Sequence, residues 1–174
     1  MIVFQNRKFR IKAERIKLPN GETIDFASLI KRPGTNIIPF IDKETILMNY
    51  QYRPAIRRWI YQLAGGKVEE SETPLQNARK ELEEELGYRA GRMKLIGKFY
   101  SAPHISNDLQ YVFVATSLKK VKKHLEKGEL IRLRRIKMSD AVEMACNGKI
   151  IDAITIAGLM MFKNSSRHSV PFNR

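Results

Sequence analysis

The stretch from Thr73 to Gly87 leaves this chain the least freedom. Thr73 and Gln76 stand at capping-box spacing, Pro74 takes the first helical position and Gly87 supplies the stop. Leu75, Ala78, Leu82 and Leu86 follow at intervals of 3, 4 and 4, an apolar stripe that commits one side of the helix to a core. Beside the stripe, the helical period gathers Glu81, Glu84 and Glu85 into a sector of about 100°. Like charges at these spacings repel, and in the run itself only Lys80 relieves them. The cluster is therefore either an ordinary charged face or a set of hard oxygen donors. Mg2+ and Mn2+ take such donors in sites completed by substrate phosphates.

The surroundings sharpen the contrast. The chain carries a formal charge of +14, yet seven of its 18 acidic residues lie between Glu69 and Glu85. A strongly basic protein attracts polyanions, which keeps nucleotides, nucleic acid and anionic surfaces open as partners. With 174 residues, 43% of them hydrophobic and 29% charged, the chain suits one soluble domain with a small appended sheet. No apolar run approaches the ~20 residues of a membrane span, and the N-terminus lacks the apolar stretch of a secretory signal, so a cytoplasmic location is expected. The single cysteine, Cys146, falls in a short helical pattern and reads as packing. None of the three histidines has zinc-ligand spacing.

Residues 7–17 and 23–30 read as strands joined by the turn signal Pro19-Asn20-Gly21. Residues 36–41 and 45–52, around the charged turn Asp42-Lys43-Glu44, suggest a second hairpin. Pro33-Gly34 marks a boundary. Further strands are predicted at 94–101, 109–116 and 130–137, and helices at 139–147 and 152–163, split by Gly148. This order gives an α+β fold rather than a doubly wound parallel sheet. The expected organisation is an N-terminal strand region at 1–34, a main domain at 35–164 and a loose basic tail at 165–174.

Ahead of the acidic helix runs Ala64-Gly65-Gly66-Lys67-Val68-Glu69-Glu70-Ser71-Glu72. From Gly66 to Tyr88 the sequence resembles the Nudix box, G-x5-E-x7-R-E-U-x-E-E-x-G-U, where U is a bulky apolar residue. Gly66 is the first glycine, Glu72 the first glutamate, and Lys80-Glu81-Leu82-Glu83-Glu84-Glu85-Leu86-Gly87-Tyr88 closes the box. Two positions depart: Lys80 replaces the usual arginine and Tyr88 fills the last apolar slot. The resemblance implies a Nudix fold, a mixed β-sheet sandwiched between helices, here with an N-terminal antiparallel extension. It also implies divalent metal, Mg2+ or Mn2+, held by Glu81, Glu84, Glu85 and the Gly65 carbonyl. Glu72 would brace the box by pairing at position 80, where lysine keeps the charge but loses the bidentate fork unless Arg79 compensates. Sugar-diphosphate members often draw their general base from a later loop, which makes Glu129 the first candidate and Glu126 the second, with a box glutamate such as Glu81 or Glu84 as the remaining choice.

Outside the box, Gln51-Tyr52-Arg53-Pro54, Ser101-Ala102-Pro103 and the segment Asn147 to Ala153 resemble the ADP-ribose pyrophosphatase branch. Arg53 would then hold substrate phosphate. That branch implies cleavage of ADP-ribose or a related nucleoside diphosphate sugar, and a homodimer that exchanges N-terminal strands. Gln62, Ala64 and His104 depart from the branch's usual glutamate, proline and glycine at positions near the expected pocket. Phe4, Phe9 and Phe26 read as core, with stacking on adenine as the alternative. Two rivals stand beside this reading. The basic runs Lys119-Lys120, Lys122-Lys123 and Arg132 to Lys137 would suit capped or triphosphorylated RNA, although they contain few aromatics. A non-catalytic nucleotide sensor would need no cluster of metal ligands.

Overall fold

The computed structural model describes residues 1–6, 9–125 and 128–165. The hairpin around Pro19-Asn20-Gly21 is present: β2 (Arg10–Lys17) pairs antiparallel with β3 (Thr23–Ile30), and β1 (Ile2–Gln5) adds to its other edge. Gly21 makes the turn at φ +90°, a conformation glycine adopts without penalty. The three aromatics of this sheet do not form a core. Phe4 is exposed, and Phe9 and Phe26 are half-buried.

The second expected hairpin is not formed. β4 (Gly34–Pro39) runs parallel to β8 (Leu109–Lys120), whose other edge pairs with β7 (Tyr88–Tyr100). β5 (Thr45–Arg53) lies in a different sheet, between β6 (Arg58–Gln62) and β9 (Ile131–Lys137). Just past β4, the Phe40–Ile46 bridge and the Ile41 N–H bond to the Thr45 carbonyl at 3.0 Å connect the two segments. The Asp42 carboxylate accepts the Glu44 and Thr45 N–H groups at 2.9 and 2.7 Å and turns the chain toward the other sheet.

Adjacent residues explain the layering. Ile37, Leu47 and Phe113 bury on one side with Ala78, Leu82 and Leu86 of the acidic helix. Their neighbours Ile38, Met48, Val112 and Val114 bury on the other side with Ala141, Ala145, Leu159 and Phe162. A strand covered on both faces buries every position, which is why all six residues of β4 are buried without alternation, Thr35 and Asn36 included. Helices α2 (Met138–Cys146) and α3 (Ala153–Ser165) supply that second cover, so the mixed sheet is sandwiched as expected. Cys146 is exposed at the end of α2, whose buried positions are Ala141 and Ala145. Among the described residues no helix is long and apolar enough to cross a membrane.

The acidic helix begins as α1 (Pro74–Glu81) with both halves of the predicted capping box: Thr73 Oγ1 accepts the Gln76 N–H, and Gln76 Oε1 accepts the Thr73 N–H at 2.8 Å. It then widens into a π-helical turn (Leu82–Leu86) and stops at Gly87, φ +74°. Leu75 leaves the stripe and is exposed; the buried positions of α1 are Asn77 and Ala78.

Candidate active site

The glycine loop after β6 and the π turn face each other across a cleft of about 470 Å³. Glu81, Glu84, Glu85 and Glu129 line it together, although Glu129 comes from the loop before β9. Glu126, the other loop candidate, lies outside the described residues, as does the tail beyond Ser165. A π turn carries an extra residue per turn and often marks a functional position.

Each glutamate has a distinct environment. Glu85 is only 4% exposed. It accepts the Gly65 N–H and the Asn49 Nδ2–H, both at 2.9 Å and both on Oε2. Burial and the nearby Glu129 charge push Glu85 up to about 7, against the Gly65 and Asn49 hydrogen bonds that favour its ionised form. Burial, then the Glu85 and Glu84 charges, push Glu81 up to about 8. Glu83 points elsewhere: Arg89 binds it bidentately at 2.8 and 2.9 Å and holds it below the usual carboxylate range. Arg89 thus relieves part of the repulsion that the helix sequence alone leaves open.

The loop needs its glycines. Gly65 has φ +151°, and a Cβ there would stand 1.9 Å from the Thr35 carbonyl oxygen. A Cβ on Gly66 would stand 2.1 Å from Glu81 Oε1. The loop is tied down by β4, whose Thr35 N–H donates to the Gly66 carbonyl at 2.9 Å.

Lys80, which also lines the cleft, pairs with Glu72 at 3.4 Å. Arg79 does not compensate for the missing arginine; it donates to the Ala90 carbonyl instead. A second depression of about 210 Å³ shares Arg32, Gly65, Gly66 and Lys67 with the first and reaches Arg53 and Gln62. There Arg53 donates to the Gln62 amide oxygen. Asp108, almost fully buried, closes its far side, accepting from Lys31 and from Ser101. His104 stands exposed on the β7–β8 turn.

The donor set suits a hard divalent cation. Carboxylates crowded until burial and mutual repulsion raise them are what a cation would draw back to the charged form. Asn49, fully buried, leaves its Oδ1 without a partner among the described residues, at a cost of about 1–3 kcal/mol carried where it holds Glu85. Among the described residues no three acidic, histidine or cysteine side chains already close around a point.

Sequence reading missed Asn49, Asn77 and Arg89. Asn49 carries a readable signal, a polar residue directly after the apolar run Ile46-Leu47-Met48 of a buried strand, whereas α1 is mostly exposed around Asn77 and offers none.

Comparison with known proteins agrees with this architecture. The family model for the NUDIX domain matches residues 30–154. ADP-ribose pyrophosphatase of Bacillus subtilis (strain 168) is 30% identical over 156 residues, covering 88% of this chain and 84% of that protein. Methanol dehydrogenase activator of Bacillus methanolicus is 27% identical over 157 residues, with the same coverage of 88% and 84%. The solved structure of an ADP compounds hydrolase superposes with a TM-score of 0.85 over 97% of this chain and 91% of that one. At 17% identity, that likeness is one of fold.

Proposed function

The chain is a hydrolase of the Nudix family, and from that membership we propose that it is a Mg2+-dependent pyrophosphohydrolase of ADP-ribose or a related nucleoside diphosphate sugar. The observation that carries this reading is the convergence of Glu81, Glu84, Glu85 and Glu129 on one cleft that continues to Arg53. The name borne by the Bacillus subtilis relative supports the substrate class.

In this reading Glu81, Glu84, Glu85 and the Gly65 carbonyl would hold the ion. Gly65 N–H and Asn49 Nδ2–H fix Glu85 through Oε2, and Oε1 would be its oxygen available to the ion. A bound Mg2+ would offset charge on the diphosphate oxygens and acidify a water. Glu129 accepts the proton of the attacking water at its carboxylate. Arg53 orients the diphosphate by charge-assisted hydrogen bonds. Water adds to one phosphorus, the anhydride P–O bond breaks, and the products are a nucleoside monophosphate and a sugar phosphate. Mn2+ would serve by the same oxygen chemistry.

The N-terminal sheet is read as the surface for a second copy of the chain, supported by the exposed Met1, Ile2, Val3 and Phe4. Light scattering should give a dimer mass; a monomer at micromolar concentration would remove this part of the reading.

One observation favours a second substrate class, the 5′ end of RNA. The sheet pairing sets Arg132 over the Trp59 ring at 4.4 Å and Arg134 beside Tyr50 at 5.6 Å, joining the basic run to aromatics that are distant in sequence. Such binding would weaken steeply with salt.

The deciding experiment is turnover of ADP-ribose with Mg2+ by the wild-type chain and by Glu85→Gln. AMP and ribose 5-phosphate from the wild type, with the variant nearly inactive, is the expected result. If the wild type leaves ADP-ribose intact but acts on 5′-triphosphate RNA, the second substrate class replaces the first.

A further inference from the structure

Asn77 is an asparagine in the interior of a helix, where its side chain competes with the backbone and its propensity is poor. It is nevertheless fully buried. Its Oδ1 accepts the Thr35 hydroxyl at 2.6 Å, and its Nδ2 donates to the Lys67 carbonyl at 2.8 Å and to Glu72 Oε2 at 3.1 Å. One side chain thus joins β4, the glycine loop and the helix. The loop it joins is the one that carries Gly65 to Glu85 and Gly66 to Glu81.

Glu72 is served from two sides. Lys80 reaches Oε1, while Asn77 and, at 3.4 Å, the Glu69 N–H reach Oε2. An ammonium is a single point charge and covers one oxygen, whereas a guanidinium covers both. We propose that Asn77 is a positioning residue that supplies the second arm of the missing guanidinium fork, so that Lys80 and Asn77 together lock Glu72 and, through it, the metal-binding helix onto the glycine loop. The Asn77 hydrogen bond is also the largest influence holding Glu72 below the usual carboxylate range, ahead of Lys80.

The inference predicts a particular failure of additivity. Asn77→Ala should lower kcat for ADP-ribose by about 10- to 30-fold with little change in KM, but by under about 3-fold in a Lys80→Arg background, where the fork takes both Glu72 oxygens. The Tm loss should persist in both backgrounds, because the introduced guanidinium restores neither the Lys67 carbonyl contact nor the Thr35 contact. A merely structural asparagine would lose activity and stability alike in both backgrounds, and that result would overturn the proposal. The activity arm rests on the pyrophosphohydrolase reading. The same four proteins are therefore also titrated with Mg2+ alone, following the rise in Tm, and the weakened response of Asn77→Ala should recover with Lys80→Arg. Absence of ADP-ribose turnover in the wild type would then count against that reading, while the metal titration still decides the role of Asn77. Should Asn77→Ala prove insoluble, Asn77→Ser keeps a polar atom for Thr35 and supports the same comparison.

Discussion

Gly66→Ala adds one methyl group at the most crowded point of the cleft. The new Cβ would lie 2.1 Å from Glu81 Oε1 and 2.5 Å from its Cδ. Real contacts of this kind rarely fall below 3.0 Å, so the carboxylate must retreat by about 1 Å; a misplacement of that size in a catalytic constellation can cost about 100-fold in rate. That factor corresponds to about 2.7 kcal/mol of transition-state stabilisation. The fold itself should not suffer, since Gly66 has no positive φ and its obstacle is the end of a flexible side chain. Replacing glycine by alanine at a compatible backbone position adds about 0.4–1 kcal/mol by restricting the unfolded chain. The expected variant is at least as stable as the wild type and about 100-fold slower with ADP-ribose and Mg2+. Calorimetry and steady-state kinetics on the same preparation check both halves. Activity within about 3-fold of wild type would refute the reasoning, because it would mean that the position of Glu81 against Gly66 is immaterial to the chemistry. Gly65→Ala is the contrasting control: there φ is +151° and the obstacle is the Thr35 backbone, so stability should fall.

Two further outcomes follow from the electrostatics of the box. Glu81 and Glu85 are raised above the ordinary carboxylate value of 4.5, to about 8 and about 7. The folded metal-free chain therefore binds more protons than the unfolded one between those limits, and its stability should fall as pH rises from about 5 to about 8. Mg2+ should oppose the loss, stabilising more at about pH 8.5 than at about pH 6; a metal-free Tm that is flat or rises across this window would contradict the assignment. Glu83, held by Arg89 outside the cluster, should tolerate Glu83→Gln with kcat within about 3-fold of wild type. A loss as deep as that of Glu85→Gln would place Glu83 among the metal ligands.

The acidic helix was legible in the sequence because everything that defines it is local. Its cap, its glycine stop, its stripe and the spacing of Glu81, Glu84 and Glu85 are relations between residues at most a few turns apart, and helical geometry converts them directly into positions. The first hairpin was legible for the same reason, through its turn residues. β4 and β5 were not, because a strand buried on both faces has no alternation to reveal its partner, and the pairing of β4 with β8 joins segments far apart in the chain.

The site divides along the same line. Sequence spacing brought the box glutamates together, but only the fold brings Glu129 across from the loop before β9 and removes Glu83 to Arg89. It also selects Asn49 and Asn77, ordinary as letters, as the amides that hold Glu85 and Glu72. The sequence alone determined which carboxylates the helix gathers into one sector. Tertiary structure decided which of them are buried, oriented and braced, since burial and hydrogen-bond geometry depend on distant chain segments that no local spacing encodes.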